Sequence, residues 1–193
     1  MPSGSKDRIT AVSSDILARR GYHGMGLKAL SAAAELPYGS IYHHFPGGKE
    51  EIAAAAVAGV GDVVAGLLDT LFAERPPEEA VGLMFDFMAG RLADADFATG
   101  CPVGTPALDG SADSAALRAA CDRALRQMVA AIATGLARAG AAPDTAGDVA
   151  VTVVAAYEGA TLLARVERSD APLRAAARAM AGLVGAATGI TAG

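Results

Sequence analysis

The stretch Gly39-Ser40-Ile41-Tyr42-His43-His44-Phe45-Pro46, followed by Gly47-Gly48-Lys49-Glu50, decides how this 193-residue chain is organised. Proline suits the first turn of a helix, where its missing N–H has no intrahelical partner. A short helix is therefore expected from Pro37 to about His44, ended by the Pro46-Gly47-Gly48 break. Just before it, Leu27–Ala34 reads as another short helix with Leu27 and Leu30 inward. Earlier still, Ile9, Val12, Ile16 and Leu17 follow the i, i+3, i+7, i+8 spacing of one buried face. That first helix runs from about Lys6 to Arg20, and Gly21 supplies its stop. Two short helices joined by a tight turn and preceded by a packing helix describe a three-helix, helix-turn-helix DNA-binding head. The shape alone has low specificity.

Charge distribution agrees with the head. The net charge is −5, which by itself argues against nucleic acid. Up to Lys49, however, six basic residues (Lys6, Arg8, Arg19, Arg20, Lys28, Lys49) face three acidic ones (Asp7, Asp15, Glu35), a balance of +3. The remainder carries 10 basic and 18 acidic residues, a balance of −8. A small basic module joined to an acidic body is a footprint for phosphate binding that the total conceals.

The rest of the chain reads as longer helices. Alanine, the strongest helix former, supplies 47 of the 193 residues. Glu50 and Glu51 favour a helix N-terminus through the dipole, and that helix is expected to reach about Phe72. Glu78-Glu79 open the next, with Val81, Met84, Phe85, Met88 and Leu92 as its apolar stripe. Ala95–Ser111, rich in Gly, Pro and Asp, reads as a loop. Leu117, Cys121, Leu125, Met128, Val129, Ile132 and Leu136 mark a further helix ending near Gly140. Helices from Asp144 to about Arg168 and from Pro172 to about Ala187 complete the chain, with Ser169-Asp170 as a tight turn between them. The fold class expected is all-α.

The longest uncharged runs, Phe97–Leu108 and Ala179–Gly193, contain Pro or several Gly and fall short of the roughly 18 apolar residues a span needs. Met1-Pro-Ser-Gly-Ser lacks the apolar stretch of a signal peptide, so a cytoplasmic protein without a membrane partner is expected. Two cysteines, Cys101 and Cys121, are too few for a disulfide framework and read as buried thiols. A di-iron enzyme on a helical bundle would need repeated Glu-x-x-His pairs, and all three histidines precede residue 45. The adjacent His43 and His44 point about 100° apart on a helix and lack further ligands nearby, so no metal site, cofactor or catalytic residue is expected. A helical-bundle enzyme and a protein–protein adaptor stand as the alternatives to a DNA-binding regulator.

The Gly39–Pro46 run also resembles the end of the recognition helix in TetR/AcrR-type repressors, where Gly-Thr-Leu-Tyr-x-His-Phe is followed by a Lys-Glu pair. Here Lys49-Glu50 supplies that pair one residue late, after the double glycine. Gly21-Tyr22-His23-Gly24 is similar to the close of the family's first helix. The close resemblance covers about Arg8–Glu51. It implies a ligand-responsive regulator, a repressor, that reads palindromic double-stranded operator DNA as a homodimer. Residues 1–48 would form the DNA-binding domain, and residues 49–193 the ligand-binding and dimerisation domain.

A recognition helix presents its N-terminal side chains to the major groove, so Tyr38 and the side-chain-free Gly39 are placed at the base edges, and Pro37 joins the DNA-binding set. Ser40 and Tyr42 are hydroxyl donors of the kind that grip phosphates, and Lys49 adds charge at a helix start. Tyr42 has the alternative of packing the three-helix core. Lys28 matches a basic family position that reaches into the groove, where lysine can donate to guanine O6 or N7. His43 is assigned a phosphate or sugar contact, and His44 and Phe45 a structural role. Three positions depart from the family pattern. Met25-Gly26 stands where a Thr/Ser capping pair is usual, Glu35 replaces a turn glycine, and Pro37 replaces a serine.

Gly100-Cys101-Pro102-Val103-Gly104 through Ala120 is similar to a TetR subgroup related to the lincomycin-resistance repressor. That resemblance implies a domain for drug-like or natural-product molecules. Phe85, Met88, Phe97, Met128 and Tyr157 offer aromatic and thioether surface suited to an adaptable apolar pocket, with ordinary core as the alternative for each. Cys101, on the loop beside this cluster, joins the pocket set. Glu158, ionisable within an apolar helix, is assigned to orient a ligand's polar group. The expected inducer is a small apolar molecule. In the family the last two helices form a four-helix bundle across a two-fold axis. Val153, Leu162, Met180, Leu183 and Val184 are the expected seam.

Overall fold

A computed structural model describes residues 4–189, so the first residues of the Met1-Pro-Ser-Gly-Ser segment and the last of the Ala179–Gly193 run lie outside it. Among the described residues there are nine helices and no strand. They are α1 (Ser5–Arg20), α2 (Leu27–Ala34), α3 (Tyr38–His44), α4 (Gly48–Glu74), α5 (Pro77–Asp94), α6 (Gly104–Gly110), α7 (Ala115–Arg138), α8 (Pro143–Glu167) and α9 (Ala171–Thr188). The all-α expectation holds.

The chain falls into two compact units, residues 1–62 with 101–124, and residues 63–100 with 125–193. A cut after residue 48 follows the motif instead, and lies inside the first unit. The difference comes from α6, together with the starts of α4 and α7. Helix α6 lies within the segment read as a loop, because Gly104, Pro106 and Gly110 are poor helix formers. It forms because tertiary burial overrides propensity: Pro106 and Gly110 are buried, and α6 rests on α1.

In the first unit, α1 buries Ile9, Ser13, Leu17 and Ala18. Val12 and Ile16, expected on that face, are half-buried. Gly21 ends the helix with φ +69°, and its N–H donates to the Leu17 carbonyl at 2.9 Å. Helix α2 has no side-chain cap at Gly26. Met25 before the cap and Leu30 in the second turn are both fully buried. These are the positions of a hydrophobic staple. Glu35 closes α2 in the left-handed region at φ 53°, as its replacement of a turn glycine foreshadows. The Ser31 hydroxyl donates to the Leu36 carbonyl at 2.6 Å and ties that turn shut. Ser114 starts α7: its hydroxyl accepts the Leu117 N–H at 3.0 Å and donates to the Glu50 carboxylate at 2.7 Å.

In the second unit, α5, α8 and α9 pack on one another. Helices α4 and α7 approach closely at Gly135, where a Cβ would stand 2.5 Å from the Cβ of Phe72. The core includes Val81, Phe85, Met88, Leu92, Ile132, Val153 and Val184. Val153 and Val184 therefore belong to the interior of the unit rather than to an exposed seam, whereas Leu162 and Leu183 are exposed and Met180 is half-buried. Asp96 and Arg168, both in the left-handed region, pair at 2.7 Å and join the turn after α5 to the turn after α8. Helices α4 and α8 are each long and apolar enough to cross a bilayer by length and composition alone. Asp62 and Asp69 interrupt the first and Asp148 and Glu158 the second, and both bury part of their surface within the protein.

Candidate nucleic-acid interface

The interface is built from α3 and its supports. Within α3 only Ile41 is buried, and Phe45, four residues on, is buried just past its end. This i, i+4 pair anchors the helix and turns the opposite surface outward. Tyr38 and Tyr42, also four apart, are each 46% exposed, which rules Tyr42 out of the three-helix core. Gly39 and His43 form the adjacent exposed row, and beyond its chain neighbours and its own helix backbone nothing lies within 4 Å of the place a Gly39 side chain would fill. Nothing in the protein obstructs a close approach to that backbone. Ser40 is half-buried, whereas Lys28 on α2 is exposed.

Pro37 caps α3 from outside, with φ −67° and ψ 153°, rather than occupying its first turn; its carbonyl accepts the Ser40 N–H at 3.0 Å. Gly48, in the left-handed region at φ +66°, accounts for the second glycine before Lys49. The Gly47 N–H donates to the Glu51 carboxylate at 2.8 Å and secures the start of α4.

Lys49 is half-buried, with its ammonium 4.5 Å from the centre of the Tyr22 ring. That cation–π geometry holds the charge at the edge of the head. Burial, and then the charges of Glu50 and Asp113, keep the Tyr22 hydroxyl above its ordinary pKa, so the ring carries no phenolate. Lys6 sits over the other supporting ring, 5.6 Å from the centre of Phe45.

The pocket residues expected from sequence are not all brought together. A cavity of about 370 Å³ in the second unit is lined by Val64, Leu67, Leu68, Leu71, Leu83, Met84, Phe87, Met128 and Tyr157. Of the expected set, Met128 and Tyr157 line it. Phe85 and Met88 face inward from α5 and are core. Phe97, in the left-handed turn after α5, and Glu158, half-buried on α8, are absent from the lining. Cys101 belongs to the first unit. The residues missed are mostly aliphatic: Val64, Leu67, Leu68 and Leu71 repeat at helical spacing along α4. Aliphatic residues at that spacing read equally as ordinary core, so the sequence alone does not single them out. Both cysteines are buried and no disulfide joins them, and burial pushes the Cys121 thiol up to about 11. Among the described residues no cluster of three or more His, Cys, Asp or Glu side chains is placed to hold a metal ion.

Two family models match. Residues 9–56 match that of the bacterial regulatory proteins of the tetR family, and residues 77–179 that of the LmrA/YxaF-like transcriptional regulator C-terminal domain. The chain belongs to the TetR family. It is 30% identical over 170 residues to the uncharacterized HTH-type transcriptional regulator YxaF of Bacillus subtilis, covering 88% of this chain and 89% of that protein. The crystal structure of a TetR transcriptional regulator from Legionella pneumophila shares the fold with a TM-score of 0.83 at 21% identity, covering 92% of this chain and 96% of that one. The TetR-family regulator CifR, as a cysteine mutant complexed with 26 bp double-strand operator DNA, aligns with a TM-score of 0.77 at 23% identity, covering 91% and 94%. This TetR-family chain is a DNA-binding transcriptional regulator. The match over residues 9–56 spans α2 and α3, so the family's N-terminal helix-turn-helix domain lies there.

Proposed function

We propose that this TetR-family chain is a repressor that grips a palindromic operator as a homodimer and releases it when a small apolar molecule occupies the second unit. DNA binding is assigned to residues 1–48 together with Lys49 just beyond them, and ligand binding and dimerisation to residues 49–193. The observation that carries ligand response is the cavity of about 370 Å³, whose lining is aliphatic, aromatic and thioether apart from one phenol, Tyr157. Its volume lies in the range of small-molecule sites. No charged side chain lines it, so an ionic ligand would lose its hydration without a compensating partner. A neutral, largely apolar molecule fits.

For DNA, Tyr38 and the open Gly39 are assigned to base edges, with Pro37 fixing where α3 begins. Ser40, Tyr42, His43 and Lys49 are assigned to phosphates and sugars, and Lys28 to a guanine edge. Complex formation by CifR, of like fold, with duplex operator DNA supports this docking. For the dimer, Val151, Ala155, Gly159, Leu162 and Val166 make one exposed row along α8, and Ala175, Ala179, Gly182 and Ala186 another along α9. Small residues permit close approach of helix axes, and a second copy covers both rows. Two recognition helices about 34–36 Å apart then read a palindrome.

The head is tested with the tightest duplex the wild-type protein selects from a randomised library. Tyr42→Ala with Lys49→Ala should weaken binding to every sequence, whereas Lys28→Ala should relax sequence preference. A double variant that bound the selected duplex as tightly as wild type would overturn the assignment.

A further inference from the structure

The turn after α1 and the end of α6 interlock through two glycines. A Cβ on Gly21 would fall 2.7 Å from the carboxyl carbon of Asp109, so the Asp109 side chain occupies the space a residue there would need. Reciprocally, a Cβ on Gly110 would stand 2.6 Å from Cγ of Tyr22 and 2.8 Å from Leu117. Each side offers a glycine to the other's side chain.

Into this fit the Asp109 carboxylate brings two hydrogen bonds. Its Oδ1 accepts the Tyr22 N–H at 2.8 Å and its Oδ2 the His23 N–H at 3.0 Å. One carboxylate accepting two adjacent amides is a charge-assisted, two-point attachment, which fixes angle as well as distance. His23 Nε2 lies 3.0 Å from Asp113 Oδ2 and adds a further link to the turn before α7. Tyr22 is thus held by its backbone at Asp109 and by its side chain against Gly110. Its ring in turn carries the Lys49 ammonium at 4.5 Å.

We propose that Asp109 is a positioning residue for DNA binding: through Tyr22 it sets where Lys49 meets the phosphate backbone. Asp109 touches no DNA. Its effect passes along Asp109, the Tyr22 main chain, the Tyr22 ring and the Lys49 ammonium, all within the first unit. This rests on the assignment of Lys49 to a phosphate.

The test is a double-mutant cycle on the full chain, with the library-selected duplex as probe and binding measured across a salt series. Lys49→Ala should make the log–log salt slope shallower by about 0.9 for each head that loses its phosphate contact. Asp109→Ala should reproduce that change, and the combination should be no worse than Lys49→Ala alone, because residues on one chain of contacts are non-additive. Tyr22→Leu, which keeps the main-chain attachment but removes the ring, should give the same shallower slope. Asp109→Asn retains one acceptor oxygen and should recover part of the wild-type slope. Thermal unfolding monitors folding throughout, and if Asp109→Ala does not fold, Asp109→Asn against Lys49→Ala supplies the cycle. If Lys49→Ala leaves binding unchanged, the phosphate assignment falls. If Lys49→Ala weakens binding while the Asp109 variants keep the wild-type slope, or add to it independently, the positioning role of Asp109 is overturned.

Discussion

Phe85 and Tyr157 meet edge to face, with ring centres 5.6 Å apart and planes at 78°. Tyr157 also lines the cavity, whereas Phe85 does not. One ring therefore has a face in the core and a face on the site, and Phe85 shapes the cavity only by holding its neighbour.

The neighbouring phenylalanines of α5 should behave oppositely. Phe85 is fully buried, and Phe85→Ala should cost about 3–5 kcal/mol of folding stability. Phe87 is 60% exposed at the cavity rim, and Phe87→Ala should cost no more than about 0.5 kcal/mol while weakening ligand binding. Denaturant unfolding and ligand titration of the two variants check the pair. Equal destabilisation would contradict the facing assigned to α5.

Much of this was legible in the sequence, for reasons that differ between elements. The bounds of α2, Leu27–Ala34, could be read directly because leucine spacing, Gly26 and the following turn all agree. Helix α6 was not legible, since only its seating against α1 and the Asp109 attachments justify a helix through Gly104, Pro106 and Gly110. Cys101 follows the aromatic loop closely in sequence, yet the chain there has already entered the first unit. Tyr42 stood between core and surface until the Ile41–Phe45 anchor fixed the rotation of α3. Val153 and Val184 look like seam residues by composition, and only the mutual packing of α5, α8 and α9 shows them to be interior.

Glu35 is the non-glycine residue that holds the helix-turn-helix turn at φ 53°. Glu35→Gly should raise stability by about 1 kcal/mol, because glycine has no Cβ to strain in the left-handed region. A shift of the unfolding midpoint to lower denaturant would show that the Ser31–Leu36 tie, rather than local strain, governs the turn.

Cys121 provides a pH signature. Burial pushes its thiol up to about 11 in the folded protein, against about 8.5 in an unfolded chain. A raised folded-state pKa contributes stability that is fully present below the unfolded value and is lost as pH climbs through the folded one. Folding stability should thus decline from about pH 8.5 towards 11, and Cys121→Ala should flatten that part of the curve. Alkylation of native protein at neutral pH should be slow at this thiol, since the reactive thiolate is scarce. Identical alkaline slopes for wild type and Cys121→Ala would contradict the burial argument.

The dimer seam is tested by separating exposed from interior positions on α8 and α9. Leu162→Glu with Val166→Glu places charges on the exposed row, where desolvation against a partner is costly. This pair should sediment as a folded monomer. Val184→Glu, at a site fully buried within one chain, should instead unfold the second unit. A wild-type protein that is monomeric at micromolar concentration would remove the dimer from the account.

Ligand response makes the strongest demand, because coupling between two sites must be reciprocal. A ligand that weakens operator affinity a hundredfold needs about 2.7 kcal/mol of differential binding, and operator must weaken ligand by the same factor. The most direct measurement titrates a neutral apolar ligand into wild type and Met128→Trp, each with and without the selected operator duplex. Wild type should bind ligand about a hundredfold more weakly when operator is present. Met128→Trp, with its cavity filled, should bind operator as wild type does and fail to respond to ligand. Equal ligand affinity with and without operator would show that the cavity, even when occupied, is not the switch.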